Sequence, residues 1–274
     1  MQAITILAAP AALCVVLAGI HVYLGIHVLA RGVIFVDLAL AQVAALGAGV
    51  AVVLGYDLHG PTAYFFALGA TFIGAGLIAL SRGASSRVPQ EAIIGVVYAG
   101  ASAMTILAVD RAAHGAEEIK ALLVGSILFA DWTDVCVAAS LYSAIGLFHW
   151  IARDRFLGIS MRPEEAKQKG WSIKLWDFLF YMSFGFVVTS SVRIAGVLLV
   201  FSYLVVPSII GLLFLGTVRA RLLLGWAVAL VVSALGLWAS WSLDLPTGAA
   251  IVAAFALTLG CALAVRGLVG SPAG

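Results

Sequence analysis

"VIFVDLALAQVAALGAGVAVVL", residues 33–54, is long enough to cross a bilayer as one helix, because about 20 apolar residues span a hydrocarbon core of about 30 Å. Two polar side chains, Asp37 and Gln42, interrupt a run that is otherwise lipid-soluble. An ionisable residue near the centre of a span costs about 2.5–3.5 kcal/mol on insertion scales, so Asp37 is a candidate for function.

Comparable stretches recur along the chain. They run over residues 4–28, 33–54, 62–80, 92–109, 132–151, 175–191, 194–216, 222–241 and 247–265, with one split placed near Arg193. Hydrophobic residues make up 64% of the chain and charged residues 10%, where a soluble domain is about half apolar and about a quarter charged. The reading is an all-α, polytopic membrane bundle of about 8–9 spans. The first apolar stretch has no basic residues before it and reads as a retained span, not a cleaved signal peptide. The longest polar segment, residues 153–174, is too short to build a core, so residues 1–274 read as a single transmembrane domain.

The loops predict an orientation. With the loop at 81–91 in the cytoplasm, only Arg111, Lys120 and Arg193 of the 15 basic residues fall on the opposite side. The positive-inside bias then places the N-terminus outside and the C-terminus in the cytoplasm. Asp57, Asp110, Glu117, Glu118, Asp131, Asp134 and Asp244 gather on the outer side, which becomes net negative and attractive to cations over about a Debye length. Cys14, Cys136 and Cys261 are odd in number and lie far apart in apolar stretches, so they indicate neither a disulfide framework nor a soft-metal site. Glycine recurs within the spans, which favours close helix packing.

Local rules also predict a short helix in "MRPEEAKQKG", residues 161–170. Pro163 suits the first helical position, Glu164 and Glu165 complement the positive N-terminus, and Gly170 suits the left-handed cap. About two turns of helix are not stable alone in water, so a partner or neighbouring helices must hold them. Pro207 in "YLVVPSIIG" removes a backbone hydrogen bond inside a span and marks a candidate kink or gate. Asp244 and Pro246 in "DLPTGA" fit an outer turn leading into the last span.

The order and spacing of "LARGVIFVDLALAQVAALG", "QEAIIGVVYAGASA", "EEAKQKG", "VRIAGVLLVFSYLVVPSIIGLLF" and "LDLPTGAAIV" resemble the transmembrane permease subunits of ABC importers for zinc, manganese and iron ions. The resemblance implies a permease that works as a pair with a second copy of itself, with ATP-binding subunits that carry ATP and magnesium, and with an extracytoplasmic metal-binding protein. It also implies residence in a cytoplasmic (inner) membrane, a divalent metal as cargo, and no cofactor or nucleic acid on this chain. In that family Pro163, Glu164, Glu165, Ala166 and Gly170 correspond to the coupling helix that seats in the ATPase. The chain has no G-x-x-x-x-G-K-[ST] loop, so ATP hydrolysis must come from a partner.

The resemblance also exposes a departure. The family carries His four residues after the Asp; here Ala41 stands at that position, or Gln42 takes the His place in a segment slipped by one residue, and on a regular helix Gln42 lies about 140° from Asp37. Asp37, Gln42 and His21 are the candidate ion-path residues; Asp37 alternatively pairs with Arg31 or caps its helix, and Gln42 and His21 alternatively hydrogen-bond between helices. His27 sits six residues after His21 and points elsewhere. His59 with Asp57, and His114 with Glu117, are candidate outer metal contacts, while His149 and Trp150 read as interfacial anchors. A self-sufficient carrier or channel is the alternative; it predicts inverted repeats, and none is evident. An intramembrane enzyme would need a motif such as H-E-x-x-H or G-x-S-x-G, and the chain has neither.

Overall fold

The structure, a computed structural model, describes residues 2–58, 60–82, 88–110, 125 and 127–269. They form α1 (Gln2–Arg31), α2 (Val36–Val53), α3 (Pro61–Ser81), α4 (Gln90–Val109), a 3-10 turn (Ile127–Phe129), α5 (Trp132–Ile151), α6 (Arg153–Met161), α7 (Pro163–Gln168), α8 (Ile173–Ala195), α9 (Val197–Phe214), α10 (Val218–Leu243) and α11 (Thr247–Val269). No strand occurs among the described residues. Nine of these helices are long and apolar enough to cross a membrane: all except α6 and α7. Hydrocarbon offers no hydrogen bonds to an open backbone, and a helix satisfies its own. Large apolar side chains stand exposed along the spans, among them Ile73, Phe65 and Leu257, as lipid contact requires and water would not favour.

Two boundaries differ from the sequence reading. The split expected near Arg193 falls three residues later: α8 runs on to Ala195, and Gly196 breaks the helix with φ 79°. A left-handed φ is cheap for glycine and costly for other residues, so the chain turns there and not at the charged residue. Arg193 stays helical, its guanidinium 5.6 Å from the centre of the Tyr64 ring. The polar segment at 153–174 holds two helices where one was expected, because Arg153–Met161 also closes into helix.

The chain divides into two compact units. One comprises Met1–Leu29, Val124–Tyr142 and Ile194–Gly274, in which α9, α10 and α11 pack on one another. Its core is close-packed on glycine: a Cβ added at Gly25 would overlap the carbonyl oxygen of Leu204, and the Gly225 position packs against Val22 and Pro207. The Tyr203 hydroxyl hydrogen-bonds the Ser233 hydroxyl inside this core, and Phe255 meets the Tyr203 ring edge-on. The other unit comprises Ala30–Leu123 and Ser143–Arg193, in which α2 packs on both α3 and α4. Gly47 lets α2 approach the backbone of α3 at Phe66 and Ala67. A buried Thr71 hydroxyl in α3 meets that of Thr189 in α8 at 3.0 Å.

Gly25→Ala is therefore expected to destabilise the chain by about 1–3 kcal/mol, since a backbone carbonyl cannot move aside as a side-chain tip can. Gly19→Ala, with no atom within 4 Å of the added methyl, should be neutral or better. Unfolding midpoints of the two variants in the same detergent check the contrast.

Candidate functional site

Asp37 lies in the first turn of α2 and is fully buried. Among the described residues neither carboxylate oxygen has a hydrogen-bond partner. The expected alternatives of pairing with Arg31 or capping the helix are not realised. Arg31 is committed to Asp177, and the first N–H in need of an acceptor, that of Phe35, is bound by Glu91 Oε1 at 3.0 Å. Helix α2 is continuous from Val36 to Val53, so Gln42 remains about 140° from Asp37. Ala41, four residues after Asp37, is fully buried and Gln42 is half-buried.

His21 is buried in the first unit, its Nδ1 2.8 Å from the Leu17 carbonyl oxygen one turn earlier. Its Nε2 has no partner among the described residues, and the ring stands edge-on to Tyr142. His27 is likewise buried, edge-on to Tyr23 at 4.7 Å. Among the described residues no group of three or more His, Cys, Asp or Glu side chains is close enough to hold a metal. His59, His114 and Glu117 lie outside the described residues. His149 is not the interfacial anchor expected of it. It is buried, stacked on Phe156 at 4.1 Å and hydrogen-bonded to Ser183, whereas Trp150 is exposed with Arg153 over its ring.

Asp177 escaped the sequence reading. It lies one turn inside α8 in "KLWDFLF", fully buried, and its carboxylate accepts from Arg31 Nη1 at 2.6 Å and from Arg82 Nη1 at 2.6 and 2.7 Å. The reasoning that singled out Asp37, a carboxylate inside an apolar run, applies equally to Asp177 and would have found it.

The segment α6–α7 is built as one piece. Pro163 opens α7, the Glu164 and Glu165 side chains stand 77% and 52% exposed, and Gly170 takes φ 70° as the cap. Among the described residues Glu164 pairs with Lys167 of the same helix and Glu165 with Arg162 just before it, contacts worth little at a solvated surface. Ala166 supplies the buried side, and its carbonyl accepts from the Trp171 N–H at 3.1 Å. Trp171 packs on Gly158 of α6, and Arg155 lies over the rings of both Trp171 and Trp176. A cleft of about 430 Å³ lies alongside, lined by residues that include Leu157, Arg162, Glu165 and Lys169.

Pro207 is buried within a continuous α9 and has no N–H to give the Tyr203 carbonyl. Asp244 caps α10 in the left-handed conformation, φ 53°, and Pro246 accepts the Ala250 N–H at the head of α11. The expected turn into the last span is thus present.

Apolar helices in this number, with a charged two-helix segment between two of them, define a multi-pass helical membrane protein. The chain belongs to the ABC 3 transport family, whose model it matches over residues 3–266. It is 24% identical over 234 residues to the manganese transport system membrane protein MntC of Listeria monocytogenes, covering 84% of this chain and 79% of that one. It is 23% identical over 168 residues to the "Probable iron transport system membrane protein" of Haemophilus influenzae, covering 61% and 62% of the two chains. Among solved structures, a chain of PsaBC from Streptococcus pneumoniae in complex with Fab has the same fold, with TM-score 0.78 and 21% identity over 94% of this chain and 90% of that one.

Burying an unpartnered carboxyl costs stability, and a similarly sized apolar residue removes that cost. Asp37→Leu is expected to raise stability by about 1–3 kcal/mol. A higher unfolding midpoint in detergent checks this; a lower one would mean that the carboxyl has a stabilising partner.

Proposed function

We propose that this chain is the membrane-spanning permease subunit of an ATP-driven importer of a divalent transition-metal ion. It works in the cytoplasmic membrane as a pair with a second copy, its two units acting as one transmembrane domain, with the N-terminus outside and the C-terminus inside. ATP and magnesium are handled by a separate ATP-binding subunit, and an extracytoplasmic metal-binding protein delivers the ion. Family membership supports the class of activity, and the manganese and iron systems of its relatives support the class of cargo.

One observation carries the division of labour: a six-residue helix, Pro163–Gln168, packed through the buried Ala166 and joined to α6 on one side, and presenting two acids to solvent on the other. So short a helix is ordered only by what it packs on, and its exposed acidic face is suited to a basic groove on a partner. Pro163, Glu164, Glu165, Ala166 and Gly170 are accordingly the residues that engage the ATPase. Alternating access moves the ion past Asp37, with Gln42 and His21 as further path residues, Pro207 as the point where α9 yields, and the Asp244–Pro246 turn facing the delivery protein. Asp37 and Gln42 offer oxygen donors, which suit manganese or iron(II) better than zinc. Weak ligation is what a path needs, because the ion must leave it.

Purified in mild detergent, the native chain should bring an ATP-binding subunit with it, and the Glu164→Arg, Glu165→Arg variant should lose that subunit while keeping its own size-exclusion profile. Retention of the ATPase by the variant would move the docking surface elsewhere. Absence of any ATPase from the native preparation would remove the importer reading.

A further inference from the structure

One carboxylate, that of Asp177, gathers three helix ends. Arg31 is the last residue of α1, Arg82 follows directly on α3, and both donate to it at 2.6–2.7 Å from 146 and 95 positions earlier in the chain. The Arg31 side chain is 1% exposed and that of Asp177 fully buried, while Arg82 is 25% exposed. Arg31 does more than neutralise. Its Nε donates to the Ser160 hydroxyl at 2.8 Å, and its guanidinium lies 3.9 Å from the centre of the Phe180 ring.

Ser160 belongs to α6, three residues before Pro163. A second, apolar route joins the same places: Phe156 of α6 is fully buried against His149, Trp176 and Phe180, and Phe180 carries Arg31 on its ring. On the other side of Arg31 only four residues separate it from Val36, where α2 begins, and Asp37 is the second residue of that helix. A single guanidinium thus touches the helix that leads into α7 and ends the link that leads into α2.

Stability alone is a poor explanation for this arrangement. Two cations on one anion leave a buried excess of positive charge, and a buried ion cluster typically gains little over well-packed apolar residues of the same size. What it supplies is fixed geometry, since a planar guanidinium has its donors in a rigid fork. Helix ends are also where a bundle can hinge, and the cluster sits where α1 and α3 end and α8 has just begun.

We propose that Arg31, Asp177 and Arg82 are positioning residues that carry movement of the α6–α7 segment to the α1–α2 link and so to the helix bearing Asp37. The proposal rests on the reading of α7 as the helix that engages the ATPase.

The test uses the complex with its ATP-binding subunit in liposomes, with manganese(II)-loaded binding protein outside, and reads manganese(II) taken up per ATP hydrolysed. Asp177→Asn and Arg82→Gln are expected to keep the ATPase bound and hydrolysing, while the ratio falls by about tenfold, within the usual range of coupling between sites. Asp177→Glu, which keeps the charge, should retain most of the native ratio. A native ratio in both neutral variants overturns the proposal, as does a parallel fall in uptake and hydrolysis that leaves the ratio unchanged. Should Asp177→Asn fail to fold, Arg82→Gln, at the partly exposed cation, decides alone. Failure of the underlying reading shows separately, as copurification and uptake that survive in the Glu164→Arg, Glu165→Arg variant.

Discussion

In hydrocarbon a backbone N–H or C=O without a partner costs several kcal/mol, and that constraint decides where this chain can turn. Several breaks fall where residue chemistry permits them. Gly196 separates α8 from α9 in the left-handed region, Asp244 does the same for α10 and α11 with a short polar side chain, and Pro163 and Gly170 bracket α7. Helices that already satisfy themselves gain nothing hydrophobic by meeting one another in lipid, so they associate through close packing and a few internal hydrogen bonds. Gly25 against Leu204, Gly47 against Ala67 and the Thr71–Thr189 pair are of that kind.

The two buried aspartates of the second unit are treated in opposite ways. Asp177 has two guanidinium groups on it; Asp37, equally buried, has no partner among the described residues. Both were costly to place in an apolar helix. A carboxylate whose cost is met by neighbouring cations is part of the framework; it is the unmet one that the proposed function assigns to the ion path. Sequence alone weighs these two residues alike, because each is a single acid in a hydrophobic run.

The fold was legible because span length is a property of one chain read in order. Nine spans and the short helix at Pro163 follow from counting apolar residues and from cap chemistry. What was not legible depends on partners distant in sequence. Asp177 stands out as an acid in "KLWDFLF", but its pairing with Arg31, 146 positions away, has no local sign. His149 looked interfacial from its place beside Trp150, yet its ring is stacked on Phe156 and its neighbour alone faces outward. Arg193 drew the helix boundary to itself because charge reads as a loop signal, while the actual boundary belongs to the glycine three residues on. Arg153–Met161 was passed over for the same reason: a charged stretch with one buried face, Phe156 and Ile159, has too few apolar positions to declare a helix by period.

That last element changes how α7 is held. A helix of six residues hung on flexible loops would respond to a partner by fraying, since it has almost no internal cooperativity. Here it is joined to α6 through the single residue Arg162, whose N–H is bound by the Gly158 carbonyl and whose own carbonyl accepts from Ala166. Trp171 closes the far end against Gly158, and Arg155 lies over the Trp171 and Trp176 rings. Among the described residues, α6 leads onward through the Phe156 ring in its aromatic nest, the Arg155 guanidinium over Trp176 and the Ser160 hydroxyl on Arg31. The proposed coupling role needs such stiffness between α7 and Arg31, because a compliant link would dissipate a displacement before it reached α2.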